Sequence, residues 1–242
     1  MIPCHLKKMD HSSLISEVEE FVRADLKNVD CSHDWNHICR VRSNVSKVLK
    51  GEQASGRFLS VDPLVLQLAA LMHDVGDFKY TKDHSAGPRM VKECLMKHLN
   101  LGVSEEQIEK VCQIIANISY RHELSHGMSS NLPEELLIVQ DADRLDAIGA
   151  AGITRCFAYS GAIKRPFYQK SEQFNTEMTA EEYNRQTEAN SGTALGHFYE
   201  KLFKLKDLMK TETGRQMAIE RNNFMVEFVK TFSNECDIPC SL

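Results

Sequence analysis

Four places in the sequence carry a histidine or an aspartate into segments that otherwise read as apolar helix. They are His37, His73 with Asp74, Asp141 with Asp143, and Asp146. An imidazole or carboxylate in a core is costly unless it is hydrogen-bonded, ion-paired or bound to a metal. Taken singly, each of these residues reads equally well as a polar group at a wet helix end or beside a local partner. Taken together, they supply two imidazoles and several carboxylates, a mixed nitrogen and oxygen donor set that suits Mn²⁺, Fe²⁺, Co²⁺ or Zn²⁺. No cysteine is placed to complete a zinc–thiolate site, and no His-Glu-x-x-His motif occurs.

The segment that must position the central pair is Leu64 to Asp77. Asp62 at the cap and Pro63 at the first turn start a helix there. The residues from Leu64 to Met72 are non-polar apart from Gln67, so this helix is expected to be buried on most sides. It delivers His73 and Asp74 at its end, with Asp77 just beyond. Upstream, a helix from about Ser12 to Lys27 is followed by one from near Ser32 to Gly51. The apolar face of the second carries Trp35, Ile38, Val41, Val45 and Val48, and His37 lies on or beside it.

Downstream, Asp77 to Gly87 reads as a loop, and a helix starts at Pro88. Ser104-Glu-Glu-Gln107 is a capping box opening another helix. Residues 119–131 read as irregular, and Asn131 with Pro133 starts the helix that holds Asp141, Asp143 and Asp146. Residues 162–191 read as a long polar excursion. Two last helices are expected from about Thr193 to Lys210 and from Thr213 to Asn234, the latter with Thr213-Gly-Arg-Gln216 as a capping box. No segment shows convincing alternation of period two. The expectation is one all-α domain over residues 1–242, with its core at about 12–235.

Composition narrows the function. The chain has 242 residues, 42% hydrophobic and 26% charged, as in ordinary globular proteins. A net charge of −5 argues against broad nucleic-acid binding but leaves room for a small phosphorylated substrate held by a few local cations. No run approaches a membrane span, and no long apolar segment follows the N-terminal lysines, so a cytoplasmic protein is expected. The eight cysteines include no Cys-x-x-Cys pair and are expected to be reduced.

The order of motifs carries a resemblance. Ser32-His-Asp-Trp-Asn-His37-Ile-Cys-Arg-Val41, His73-Asp-Val-Gly-Asp-Phe-Lys79, Ile118-Ser-Tyr-Arg121 and Gln140-Asp-Ala-Asp-Arg-Leu-Asp-Ala-Ile-Gly149 resemble the HD-domain metal-dependent phosphohydrolase superfamily. With the tail from His197 to Gly214, they are similar to its subgroup of small, single-domain, HD-type helical bundles that includes nucleoside triphosphate pyrophosphohydrolases. The resemblance implies His37, His73, Asp74 and Asp143 as metal ligands. Asp143 is preferred to Asp141 because it precedes Arg144-Leu145. The implied ion is Mn²⁺, with Co²⁺, Ni²⁺, Fe²⁺, Mg²⁺ or Zn²⁺ as alternatives.

The implied reaction cleaves (deoxy)nucleoside triphosphates to monophosphate and pyrophosphate by a metal-activated water. Asp77 and Asp74 would serve catalysis, Asp77 by orienting the water or accepting its proton. Arg40, Lys79, Arg121 and Arg144 are the candidate substrate cations, Lys79 and Arg121 for the leaving pyrophosphate. Asp146 is a candidate for orienting a ligand histidine, whereas His33 reads as a helix-start residue, and His122 and His126 as surface residues. The alternatives are a nucleoside monophosphate phosphatase or phosphodiesterase of the same superfamily, or a non-catalytic metal-stabilised nucleotide-binding protein. Neither nucleic acid nor membrane is an expected partner, and a homodimer is left open.

Overall fold

The structure is a computed structural model that describes residues 11–242 except 78–80, 82, 84, 128–131 and 172. Among the described residues there are eleven α-helices and no strand, an all-α fold. In chain order they are α1 (Ser12–Asp25), α2 (Trp35–Ala54), α3 (Pro63–Met72), α4 (Ala86–Met96), α5 (Glu105–Asn117), α6 (Tyr120–His126), α7 (Glu134–Asp146), α8 (Gly149–Ala162), α9 (Ala180–Glu188), α10 (Ala194–Glu200) and α11 (Glu212–Glu235). No helix among the described residues is long and apolar enough to cross a membrane.

Helix α3 is the hub. Asp62 accepts from the backbone N–H groups of Leu64 (2.8 Å) and Val65 (3.4 Å), with Pro63 at the first helical position. Every residue from Leu64 to Met72 except Gln67 is buried. A helix with so little polar face needs neighbours all round, and α1, α2, α5 and α7 supply them. Helices α2 and α7 pack along each other, burying Ile38, Val41 and Val45 of one and Leu136, Val139 and Leu145 of the other. Asn44 Nδ2 donates to the Ala142 carbonyl between them at 3.0 Å, so a polar residue at this seam is satisfied. Helix α11 closes the bundle against α2, α7 and α8.

Several boundaries differ from the sequence reading. Helix α2 begins at Trp35, because Asp34 is its cap and accepts from His37 N–H, and Cys31–His33 form a separate 3₁₀ turn. It runs on to Ala54. Helix α4 starts at Ala86, ahead of Pro88. Residues 119–126 are ordered as α6, capped by Ser119, and the excursion after Ala162 contains α9, opened by the capping box of Thr179 and Glu182.

The helix expected through Lys210 ends at Glu200 and gives way to a 3₁₀ segment, Leu202–Leu208. Its leucines at 202, 205 and 208 recur every three residues, which aligns them on one face only at three residues per turn. The capping box expected at Thr213 does not form. Thr211 is the cap, accepting from Gly214 N–H at 3.0 Å, and Thr213 N–H donates instead to the buried Glu52.

Candidate metal centre

Three elements deliver the four expected ligands to one place. His37 comes from the first turn of α2 and is fully buried. His73 follows α3 as its C-cap, with Asp74 next in the turn. Asp143 projects from the last turns of α7. His37 Nε2 lies 2.9 Å from His73 Nε2, 3.1 Å from Asp74 Oδ2 and 3.7 Å from Asp143 Oδ1. His73 Nε2 lies 3.6 Å from Asp74 Oδ1 and 3.8 Å from Asp143 Oδ1. Neighbouring ligands of an ion with ~2.1 Å bonds stand about 3 Å apart; His37, His73 and Asp74 form a group of that size, and Asp143 stands slightly further out.

The proton inventory agrees with a cation at the centre. His73 Nδ1 lies 3.0 Å from the Ala70 carbonyl, which only accepts, so Nδ1 carries the hydrogen and Nε2 is left with its lone pair. His37 Nδ1 is engaged in the same way by Asp146 Oδ2 at 2.7 Å. When both rings are neutral, their Nε2 lone pairs face one space beside two carboxylates, and Asp74 Oδ2 is buried without a hydrogen-bond partner. One divalent ion satisfies all of these atoms at once. The residues present fit such an ion.

The electrostatics follow from the crowding. Burial alone would raise the Asp74 carboxyl, but His73, His37 and His33 outweigh it and hold it well below the usual range. Burial opposes charge on His37, yet the adjacent Asp146 and Asp74 carboxylates prevail and its imidazole is shifted up. Asp146, almost wholly buried, would also be raised by burial. His37, Arg40 and Arg155 reverse that and depress it strongly. Arg40 Nε and Nη2 reach Asp146 at 2.7 and 3.1 Å, and Arg155 Nη1 reaches it at 3.1 Å.

Asp141 faces elsewhere. Its carboxylate accepts from the backbone N–H of Lys210 and Thr211 and from the Thr211 hydroxyl, all within 2.7–3.1 Å. A carboxylate there anchors the start of α11. Gly214 permits the approach: a Cβ on it would lie 2.5 Å from Asp141 Oδ2. Thus the two aspartates of Asp141-Ala-Asp143 serve different parts of the molecule.

A cleft of about 380 Å³ opens beside His73, lined by Gly76, Asp77, Arg121, His122 and His126 among others. Gly76 makes the turn that brings Asp77 there. Its φ is +63°, and a Cβ would meet Gly87 N at 2.9 Å, so only glycine fits without strain. Arg121 of the expected substrate cations lines this cleft and is paired with Glu188 of α9. Arg40 and Arg144 are not among its lining residues. Arg40 is bound to Asp146, and the buried Arg144 pairs with Glu123 and donates to the Leu208 carbonyl at 3.0 Å. Lys79 lies outside the described residues.

The sequence reading passed over Arg155, and it took His122 for a surface residue although it lines the cleft. Arg155 also donates from Nε to the Ser32 carbonyl at 2.6 Å, and nothing in its flanking residues marks it. His33 is buried with its ring centroid 6.0 Å from that of His37.

Comparisons with known proteins bear on the family and the fold. Residues 35–148 match the HD domain family. The chain is 33% identical over 225 residues to the uncharacterised protein YpgQ of Bacillus subtilis (strain 168), covering 92% of this chain and 93% of that one. A crystal structure of YpgQ in complex with ADP superposes with a TM-score of 0.64 at 29% identity, over 95% of this chain and 96% of the other. An HD-superfamily hydrolase from Bacillus thuringiensis gives a TM-score of 0.66 at 32% identity, covering 95% of this chain and all of that one. A protein from Lactobacillus plantarum gives 0.74 at 30% identity, over 93% and 98% of the two chains.

Proposed function

Because this chain belongs to the HD superfamily of hydrolases, we propose that it is a metal-dependent phosphohydrolase that cleaves (deoxy)nucleoside triphosphates to nucleoside monophosphate and pyrophosphate. The observation that carries the proposal is the convergence of His37, His73, Asp74 and Asp143 beside a cleft that His73 lines together with Asp77 and Arg121. His37, His73, Asp74 and Asp143 would hold a divalent ion whose remaining coordination would be open to water and substrate. The complex of YpgQ with ADP supports a nucleotide ligand for this fold.

A divalent ion, Mn²⁺ on this reading, supplies Lewis acidity toward the phosphoryl group and makes water a competent nucleophile near neutral pH. The side chains do the rest. Asp146 fixes the His37 ring and Ala70 the His73 ring, so both present Nε2 to the centre without reorganising. Asp77, at the edge of the cleft, orients the attacking water and takes its proton. The water oxygen bonds to the α-phosphorus, the bridging bond to the β-phosphate breaks, and the electron pair leaves with pyrophosphate. Arg121, with Lys79, offsets the charge that gathers on that leaving group.

Hydrolysis in ¹⁸O-labelled water with Mn²⁺ tests the bond. Label in the monophosphate is the expected result. Label in pyrophosphate, or orthophosphate as the first product, would sink the pyrophosphohydrolase reading and favour a phosphatase.

A further inference from the structure

A separate cavity of about 300 Å³ lies where α2, the start of α8 and α11 meet. Its charged lining residues are Arg40, Lys47, Arg221 and Asp146. It shares no lining residue with the cleft beside His73, and none of the four converging residues borders it. Arg40, Ser43, Asn44 and Lys47 reach it from one face of α2, being three and four residues apart. In a chain of net charge −5, the gathering of Arg40, Lys47 and Arg221 around one space is a local excess of positive charge.

The Asp146 carboxylate does not balance that excess. It accepts from Arg40 at 2.7 and 3.1 Å, but it also serves Arg155 and the His37 ring. Arg40 Nη1 takes no part in the pairing. Arg221 is half-buried and is oriented by neutral acceptors, the Leu145 carbonyl and Asn44 Oδ1. Burial pushes its guanidinium down from the ordinary value, and Asp146 and Glu220 offset only part of that. Among the described residues, neither Arg221 nor Lys47 has an ion-pair partner. Gly149 makes room for the arrangement. Its φ is +75°, and a Cβ on it would lie 3.0 Å from Arg221 Cβ and Cγ, so glycine lets that side chain lie against the start of α8. A charge drawn out of water without a counter-ion is costly, and two guanidinium forks with an ammonium group match the oxygens of a phosphate. Ala150 and Ala151 of the first turn of α8 also line the space, and the cap of that helix, Ile148, offers no side-chain acceptor. The positive end of α8 therefore adds to the same field.

We propose that this cavity is an effector site for a small phosphate-class dianion, inorganic phosphate or pyrophosphate, whose binding tightens the hold of the metal centre on its ion. Arg40, Lys47 and Arg221 supply the contacts. The link to the centre runs from Arg40 to Asp146 and from Asp146 to His37. A dianion in the cavity cancels positive charge that these three side chains project across Asp146 toward His37, so a cation at the centre becomes more favourable. By linkage, the metal tightens the anion by the same factor. The coupling rests on the reading of His37 as a metal ligand; the anion site does not.

Calorimetry on the metal-free protein measures binding of inorganic phosphate and of pyrophosphate by wild type, Lys47→Glu, Ser43→Glu and Lys50→Glu. Lys47 and Ser43 are exposed and bond to nothing among the described residues, so both variants keep the fold, and thermal melts verify it. Lys50, on the same helix but not lining the cavity, controls for net charge. Each cavity variant is expected to bind both anions about tenfold more weakly, while Lys50→Glu stays within about twofold of wild type. Titrations of Mn²⁺ with and without saturating phosphate then read the coupling. The rise in Mn²⁺ affinity is expected to be about fivefold greater in wild type than in Lys47→Glu, which corrects for phosphate that meets Mn²⁺ directly. Absence of phosphate and pyrophosphate binding by wild type overturns the proposal, as do unchanged affinities in both cavity variants or an equal loss in Lys50→Glu. Equal shifts of Mn²⁺ affinity in wild type and Lys47→Glu overturn the effector role. Failure of wild type to bind Mn²⁺, with the anion binding still lost in the cavity variants, refutes the metal reading and leaves the anion site standing.

Discussion

His37 Nδ1 donates to Asp146 Oδ2 over 2.7 Å, although the two residues stand 109 positions apart. That bond joins α2 to α7 and decides which nitrogen of His37 faces the metal centre. Asp146 bears this load while receiving Arg40 and Arg155 as well, so one buried carboxylate organises an imidazole and two guanidinium groups. It is not one of the four converging residues; on the proposed function it positions one of them, His37.

Asp146→Asn keeps an acceptor for His37 but removes the charge that Arg40 and Arg155 balance. Mn²⁺ affinity is expected to fall about 10–100-fold, as for other groups that orient a ligand histidine. Calorimetric titration of Mn²⁺ into the apo-protein decides it, and an unchanged affinity would refute the positioning role.

His73→Ala and Asp74→Ala are each expected to abolish turnover while keeping most of the helix content. The buried core from Leu14 to Val229 does not depend on either side chain. Saturating Mn²⁺ raises the wild-type melting temperature, because ligand that binds only the folded state stabilises it, and neither variant shows that rise. Circular dichroism at 222 nm and thermal melts are the measurements. Unfolding of both variants would make the metal structural.

Asp141→Ala and Asp143→Ala separate the two roles within one helix. Loss of Asp141 leaves the start of α11 without its acceptor and is expected to cost about 3 kcal/mol, or roughly 6–12 °C in melting temperature, with Mn²⁺ affinity nearly intact. Loss of Asp143 should do the reverse. If Asp141→Ala abolishes metal binding in a folded protein, the assignment of ligands on α7 is wrong.

Arg121→Ala tests the cleft. On the proposed reaction it slows triphosphate cleavage by about 2–4 kcal/mol of transition-state stabilisation, with little change in Mn²⁺ affinity. Steady-state kinetics beside metal titration separate the two effects, and an unaltered kcat/KM would remove Arg121 from the chemistry.

Acid should loosen the joint between α2 and α11 through Glu52. Burial alone would raise its carboxyl, but Arg57 and the Thr213 backbone and hydroxyl lower it from 4.5 to about 2. Depression of the folded value means that the stabilisation is present above pH 4.5 and is lost as pH falls toward 2. Wild type should therefore lose more stability than Glu52→Gln across that window. Parallel acid profiles from chemical denaturation would show that Glu52 contributes nothing.

Much of this architecture depends on chemistry that neighbouring residues settle among themselves. Asp62-Pro63 starts α3, and the Ser104–Gln107 capping box opens α5 as its residue types require. The apolar run from Leu64 to Met72 could only be a buried helix, and so His73 and Asp74 had to enter the interior at its end. The donor set His37, His73, Asp74 and Asp143 was readable for the same reason: charged and imidazole groups among apolar neighbours need a partner. The identity of each partner was a matter for tertiary structure. The Arg144-Leu145 that follows Asp143 favoured it over Asp141 as a ligand, but what Asp141 does instead was invisible until the chain brought Thr211 beside it. The segments after Asn117 and Ala162 looked irregular because short helices such as α6 and α9 gain their stability from packing against each other, not from periodicity. Arg155 carried no local mark at all, since its bond to the Ser32 carbonyl, 123 positions away, exists only once the chain has folded.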